Sequence, residues 1–207
     1  MTTIAFVPPP VPSSFSEHEL VPGVAVYKGE LPPGQLLDER RFEELWGMHP
    51  REQPEVRFGD TVVEAPRWHR AYGHDYEFSG FISRAQSVPA ILSPLLSWTR
   101  EAIDERINGL LVNWYDGARE HRIAPHKDSP VGRIPGCPIV TVSFGAPRTF
   151  QMIVRRRRVS LPTHDGSVIV IPDATNKRFA HAVPHLPEDS GRRISVTLRG
   201  FDEATSD

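Results

Sequence analysis

Leu110-Leu111-Val112-Asn113-Trp114-Tyr115 and Pro138-Ile139-Val140-Thr141-Val142-Ser143-Phe144 open a series of short β-branched and aromatic runs, and that series decides the fold. Residues 149–154, 159–161, 167–171 and 194–198 continue it, with Gly, Pro and Asp at the breaks. Such side chains suit a pleated, half-buried surface, and short runs at this spacing predict an antiparallel barrel or sandwich. Working outward, Asp38 is placed to cap a helix carrying Phe42, Leu45 and Trp46 on one face. Ser93-Pro94 reads as an N-cap followed by proline at the first helical position. That helix is expected to run through Leu96, Ile103 and Ile107, with Glu101 and Arg106 toward solvent, and to stop at Asn108-Gly109. The class is α+β, mainly β, with helices of the first half packed outside the strands.

The 207 residues suit one domain with an N-terminal extension. Residues 1–35, rich in Pro, Ser and Gly with extended pieces such as Val24-Ala25-Val26-Tyr27, predict an arm lying on the domain and partly disordered at its start. Residues 36–207 form the single domain, and Val56 to Val63 read as a hairpin broken at Gly59-Asp60. The start lacks a signal peptide's basic and apolar regions and no apolar run spans a membrane, so a cytoplasmic protein is expected. The lone Cys137 excludes an internal disulfide and a cysteine-based zinc site, and it reads as a small residue in the turn entering a strand. A net charge of -2 is not the footprint of a general nucleic-acid binder. The basic run Arg155-Arg156-Arg157-Arg158 reads as a solvated hairpin tip, with a phosphate-contacting patch as the alternative.

The chemistry-bearing stretch is Ala124-Pro125-His126-Lys127-Asp128. Side chains two apart in an extended segment share a face, so His126 and Asp128 can converge. An imidazole and a carboxylate in that relation are two parts of the 2-His-1-carboxylate triad that holds Fe(II) with open positions. The third ligand is expected from His181, which lies between two predicted strands; His164 and His185 sit in turn-like contexts and read as structural. A 2-oxo acid chelating such an iron presents a distal carboxylate, which calls for an arginine fork. Arg193 and Arg199 bracket the last strand six residues apart, hence on one face; Asn113 and Tyr115 share a face of the strand leading to the metal loop and offer further donors. Pro66 to Gly73 and Tyr76 to Phe81 are aromatic and basic, which suits either stacking on planar ligands, unpaired bases included, or one packed strand face.

Asn113-Trp114-Tyr115, His126-Lys127-Asp128, Val142-Ser143-Phe144-Gly145, His181-Ala182-Val183-Pro184 and Arg193 to Arg199 together resemble, in order, the signature motifs of the AlkB-type Fe(II)- and 2-oxoglutarate-dependent dioxygenases. The likeness extends upstream to Pro66-Arg67, Tyr72-Gly73 and Tyr76-Glu77-Phe78-Ser79-Gly80, and so covers residues 65 to 201. It implies a double-stranded β-helix (jelly-roll) core over 108–201 and a nucleotide-recognition-like lid over 55–85. It implies Fe(II) on His126, Asp128 and His181, and 2-oxoglutarate on Asn113, Tyr115, Arg193 and Arg199, with O2 as co-substrate. It further implies Arg67, Tyr76 and Phe78 at the substrate. The expected activity is oxidative N-dealkylation of alkylated DNA or RNA bases by a monomer. The chain departs from the pattern at Ser129-Pro130, where nucleic-acid-repairing members carry acidic residues, so a small molecule or a protein side chain is the alternative substrate.

Overall fold

The computed structural model describes residues 10–58, 60–78 and 81–202. In chain order the elements are β1 (Ser16–Val21), β2 (Val24–Glu30), α1 (Glu39–Trp46), β3 (Glu55–Phe58), β4 (Thr61–Glu64), β5 (Trp68–Tyr72), β6 (Tyr76–Phe78), β7 (Phe81–Ser83) and α2 (Ser93–Ala102). They continue as β8 (Gly109–Asp116), β9 (Ile123–His126), β10 (Ile139–Gly145), β11 (Arg148–Val154), β12 (Arg157–Thr163), β13 (Ser167–Ile171), α3 (Asp173–Arg178), β14 (Ala180–Val183) and β15 (Arg192–Arg199).

A seven-stranded sheet in the order β1-β2-β13-β10-β15-β8-β5 faces a four-stranded sheet in the order β12-β11-β14-β9. All pairings within these sheets are antiparallel, the jelly-roll arrangement. The β3–β4 and β6–β7 hairpins stand apart as two-stranded sheets.

Because the central strands are buried on both faces, burial alone does not show which side is which; residue chemistry does. In β15, Ile194, Val196 and Leu198 enter the larger apolar core, while Arg193, Ser195, Thr197 and Arg199 alternate with them on the opposite face. β10 repeats this with Val140, Val142 and Phe144 against Thr141 and Ser143, and β8 with Leu110, Val112 and Trp114 against Asn113 and Tyr115. The polar face looks toward the four-stranded sheet, and a cavity lies between the two.

The outer face is covered by α1 and α2. Asp38 caps α1, accepting from Arg41 N at 2.8 Å, and Leu45 is fully buried, worth about 1.5–3 kcal/mol. Trp114 Nε1 donates to the Leu45 carbonyl (2.9 Å), which ties α1 to β8.

The second helix differs from its expectation. Leu92 is the cap, while Ser93 Oγ turns back to the Pro89 carbonyl. The helix ends at Ala102, because Ile103 leaves the helical region; Ile103 and Ile107 reach the core from the irregular segment that follows.

The N-terminal stretch differs more. Instead of an arm lying on the domain, β2 pairs with β13 in the main sheet, and Val24, Ala25, Val26 and Tyr27 are buried. A run of four apolar residues beside an open strand edge gains more by pairing than by resting on the surface. The expected disorder at the chain start concerns residues 1–9, which lie outside the described residues. Arg155 and Arg156 form the exposed turn between β11 and β12, and Cys137 is buried in the turn before β10, as expected. Gly145, at φ +83°, closes β10, where a Cβ would meet the Arg192 carbonyl and Phe42.

Candidate active site

His126 is the last residue of β9, and in the β9–β14 pairing it stands directly opposite His181. Their ring centroids are 4.3 Å apart. Asp128 follows two residues later in irregular backbone. Its Oδ1 lies 3.5 Å from His126 Nε2 and 3.8 Å from His181 Nε2, and one ligand atom from each residue falls within 4.8 Å of the others. The predicted ligand set is therefore assembled, although by strand pairing and a loop rather than by one extended segment.

The protonation states suit metal binding. His126 Nδ1 lies 3.0 Å from the Ala124 carbonyl, which can only accept, so the proton sits on Nδ1 and the Nε2 lone pair is free to ligate. Burial, and secondarily His126, lower the His181 pKa to about 3, which keeps the ring neutral. Its ring stacks on Phe150. Burial pushes the Asp128 carboxyl up, but Arg199 and then the two histidines outweigh it and hold the group well below the usual range. Arg199 donates to Oδ2 from Nε (2.8 Å) and Nη2 (2.7 Å), while the Tyr76 hydroxyl donates to Oδ1 (3.3 Å). Burial, and Asp128 in turn, raise the Tyr76 pKa, so it remains a donor.

Beside the triad lies a cavity of about 230 Å³, lined among others by Asn113, Tyr115, Thr141, Ser195, Thr197 and Arg199. The sheet register stacks these groups in rows: Arg193 opposite Tyr115, Ser195 opposite Asn113, and Thr197 opposite Thr141. Arg193 is fully buried, with its guanidinium over the Tyr115 ring (5.0 Å) and one bond from Nη2 to Ser143 Oγ (2.9 Å). Its Nε and Nη1 are buried without a hydrogen-bond partner among the described residues. Two orphaned donors on a buried cation packed against Tyr115, which itself lines the cavity, fit the distal carboxylate of a 2-oxo acid. The imidazole, carboxylate and imidazole donors fit Fe(II).

Arg67 lines the same cavity and donates from Nε to Asn113 Oδ1 (2.7 Å), so the amide oxygen is engaged by the arginine. Tyr76 is buried in the wall, with its ring against the Arg199 guanidinium at 4.4 Å, rather than standing as an open stacking surface. The Phe78 side chain lies outside the described residues. His164 faces Glu30 on the surface and His185 contacts Arg148, both away from the triad. Sequence reasoning missed Thr141, Ser143, Ser195 and Thr197, though hydroxyls alternating with apolar residues in two buried strands were the signal. It also missed Asn176, whose segment carries no such period.

A jelly roll holding two histidines, a carboxylate and a buried arginine at one cavity defines a non-haem iron oxygenase that uses a 2-oxo acid. The comparisons agree. Residues 34–199 match the 2OG-Fe(II) oxygenase superfamily, and the chain belongs to it, with Fe(II), 2-oxoglutarate and O2 as its reaction partners. Its relatives are of the AlkB type. The chain is 28% identical over 192 residues to the Homo sapiens DNA oxidative demethylase ALKBH2, covering 88% of this chain and 66% of that one. It is 30% identical to the Mus musculus ALKBH2 (88% and 72%) and 29% identical to the Homo sapiens alpha-ketoglutarate-dependent dioxygenase alkB homolog 3 (68% and 53%). It thus spans about two thirds of the length of the first two. The solved structure of OsALKBH1 superposes with a TM-score of 0.58 at 12% identity, over 90% of this chain and 100% of that one, a likeness of fold. No helix among the described residues is long and apolar enough to cross a membrane.

Proposed function

We propose that the protein oxidatively removes N-alkyl groups from DNA or RNA bases. The observation that carries the reading is the position of Tyr76 and Arg67: both come from the aromatic and basic stretch before β8, and both wall the cavity that ends on His126, Asp128 and His181. The names of the relatives support the same substrate class. His126, Asp128 and His181 would hold the iron, and Arg193, Arg199, Asn113 and Tyr115 the 2-oxoglutarate. Bound there, these cofactors supply the oxidation of a substrate C–H bond by O2, with 2-oxoglutarate leaving as succinate and CO2. The chain's own residues orient and exclude: Arg199 and Tyr76 hold the Asp128 carboxylate ionised and aimed, the apolar wall of Leu111, Ile123 and Val183 keeps bulk water out, and the lid over 55–85 places the base. Hydroxylation of an N-methyl group gives N–CH2OH, which loses formaldehyde and leaves N–H. A base within a duplex is extruded first. We read the protein as a cytoplasmic monomer, in keeping with its single, buried cysteine, which forms no disulfide.

The test is turnover of iron-loaded protein with 2-oxoglutarate and N-methylated oligonucleotides, single- and double-stranded, following succinate and formaldehyde. Release of both in step with loss of the methyl group is expected; succinate formation stimulated only by metabolites or proteins would replace the nucleobase. Ser129, which lines the cavity one residue after the metal carboxylate, favours that second reading.

A further inference from the structure

One of the three metal ligands sits where the backbone has no ladder to hold it. Asp128 lies beyond the end of β9 and has no ladder partner for its N–H or C=O. Both groups are instead taken by one side chain: Asn176 Oδ1 accepts from Asp128 N (3.0 Å), and Asn176 Nδ2 donates to the Asp128 carbonyl (3.1 Å). The primary amide, with one acceptor and donors in a plane, reproduces the face that a neighbouring strand would present. It does so from 48 residues away and while nearly fully buried.

We propose that Asn176 is the positioning residue of the metal centre, setting the backbone of Asp128 relative to His181. α3 is well placed for the task. Thr175 Oγ1 bonds the Ala25 carbonyl (2.8 Å) and so anchors the helix to β2. Lys127 Nζ reaches the Lys177 carbonyl (2.8 Å), a second tie from the metal loop to the same turn. The helix then runs directly into β14, which carries His181. One short element therefore fixes the loop that follows His126 and holds Asp128, and leads into the strand that holds His181. Arg199 and Tyr76 orient the Asp128 carboxylate, and Asn176 places the Cα from which it projects. The inference rests on the metal triad and is independent of which substrate is oxidised.

The experiment measures Co(II) affinity of the apo protein by titration of its visible spectrum, alongside thermal melting. Asn176→Ala opens room for water at the two backbone groups, and Asn176→Leu keeps the shape and the helix without the bonds. Thr175→Val is the control, since it loosens the same helix but leaves Asp128 untouched. Removing an outer partner of a metal ligand costs about 10–100-fold in metal affinity. Loss in that range is expected for both Asn176 variants, with an altered Co(II) spectrum, while Thr175→Val melts earlier but binds Co(II) within about threefold of the parent. Asn176 variants that bind Co(II) like the parent, or a Thr175→Val loss as large as theirs, would overturn the positioning role while leaving the triad intact. A parent chain that binds no Co(II), or binds it equally after His126→Ala, would overturn the triad and the positioning role together.

Discussion

The two sheets furnish one cavity by different means. β15 runs between β10 and β8 with its backbone paired on both sides from Arg193 to Leu198, and it carries Ser195 and Thr197 in the middle of a regular ladder, with Arg193 and Arg199 close to its two ends. The opposing sheet delivers its groups from strand ends. His126 is the last residue of β9, Asp128 lies past it, and the β9–β14 register is irregular between His181 and Val183. A ladder fixes a side chain's origin without further help. Where it ends, side chains must do so, and Asn176, Arg199 and Tyr76 all converge on Asp128. The co-substrate wall is thus rigid through its backbone, the metal wall through a side-chain network that the ion itself completes.

The hardest blow to the metal wall is Asp128→Ala. It removes a ligand and strands the Arg199 guanidinium, so iron binding and succinate formation should fall by more than the ~100-fold that loss of an outer partner costs. Retained turnover would break the assignment.

On the other wall, Arg193→Met should weaken 2-oxoglutarate binding by roughly a hundredfold, because charge-assisted bonds of about 1.5–3 kcal/mol each are lost. The same change should stabilise the apo protein by about 1–4 kcal/mol, since a buried cation with two orphaned donors gives way to an apolar side chain. Urea unfolding and co-substrate titration measured on one sample check both signs.

Metal addition separates the walls directly. Saturation at 100 times the dissociation constant should add about 2.7 kcal/mol to stability. Hydrogen exchange should slow around β9, β14 and residues 126–128 and stay nearly unchanged in β8 and β15; uniform slowing would erase the contrast.

The smallest effect falls on the regular sheet. Burial, then Arg67, lower the His69 pKa to about 3, against 6.5 when unfolded. Between those values the unfolded chain binds a proton that the folded one refuses, so stability falls as pH drops from 6.5 toward 3. At pH 5 the loss is about 2 kcal/mol. The urea midpoint of His69→Phe should show a correspondingly shallower decline from pH 7 to 5.

Legibility in the sequence follows the same division. The long strands were readable because runs of β-branched and aromatic residues between turn residues are a local signal, whereas the alternation of Val140, Val142 and Phe144 with Thr141 and Ser143 inside one such run went unread. The His-x-Asp pair and the Arg193 to Arg199 spacing were readable because a two-residue period is local too. Residues 24–27 were visible as an extended piece, but their place in the sheet was not, since it depends on β13 having an open edge. β9 and β14 are four residues each, too short to show a pattern, and Asn176 sits in a helix of six.

By itself, then, the sequence determined the runs that become β8, β10 and β15, the kinds of ligand available to the metal, and the family. Only the tertiary structure decided that His126 stands opposite His181, that Arg199 grips Asp128, and that Asn176 replaces the missing strand beside it. The physical reason is range: periodicity and residue type act over a few neighbours, whereas these contacts join segments 48 to 71 residues apart, where the folded backbone sets what meets.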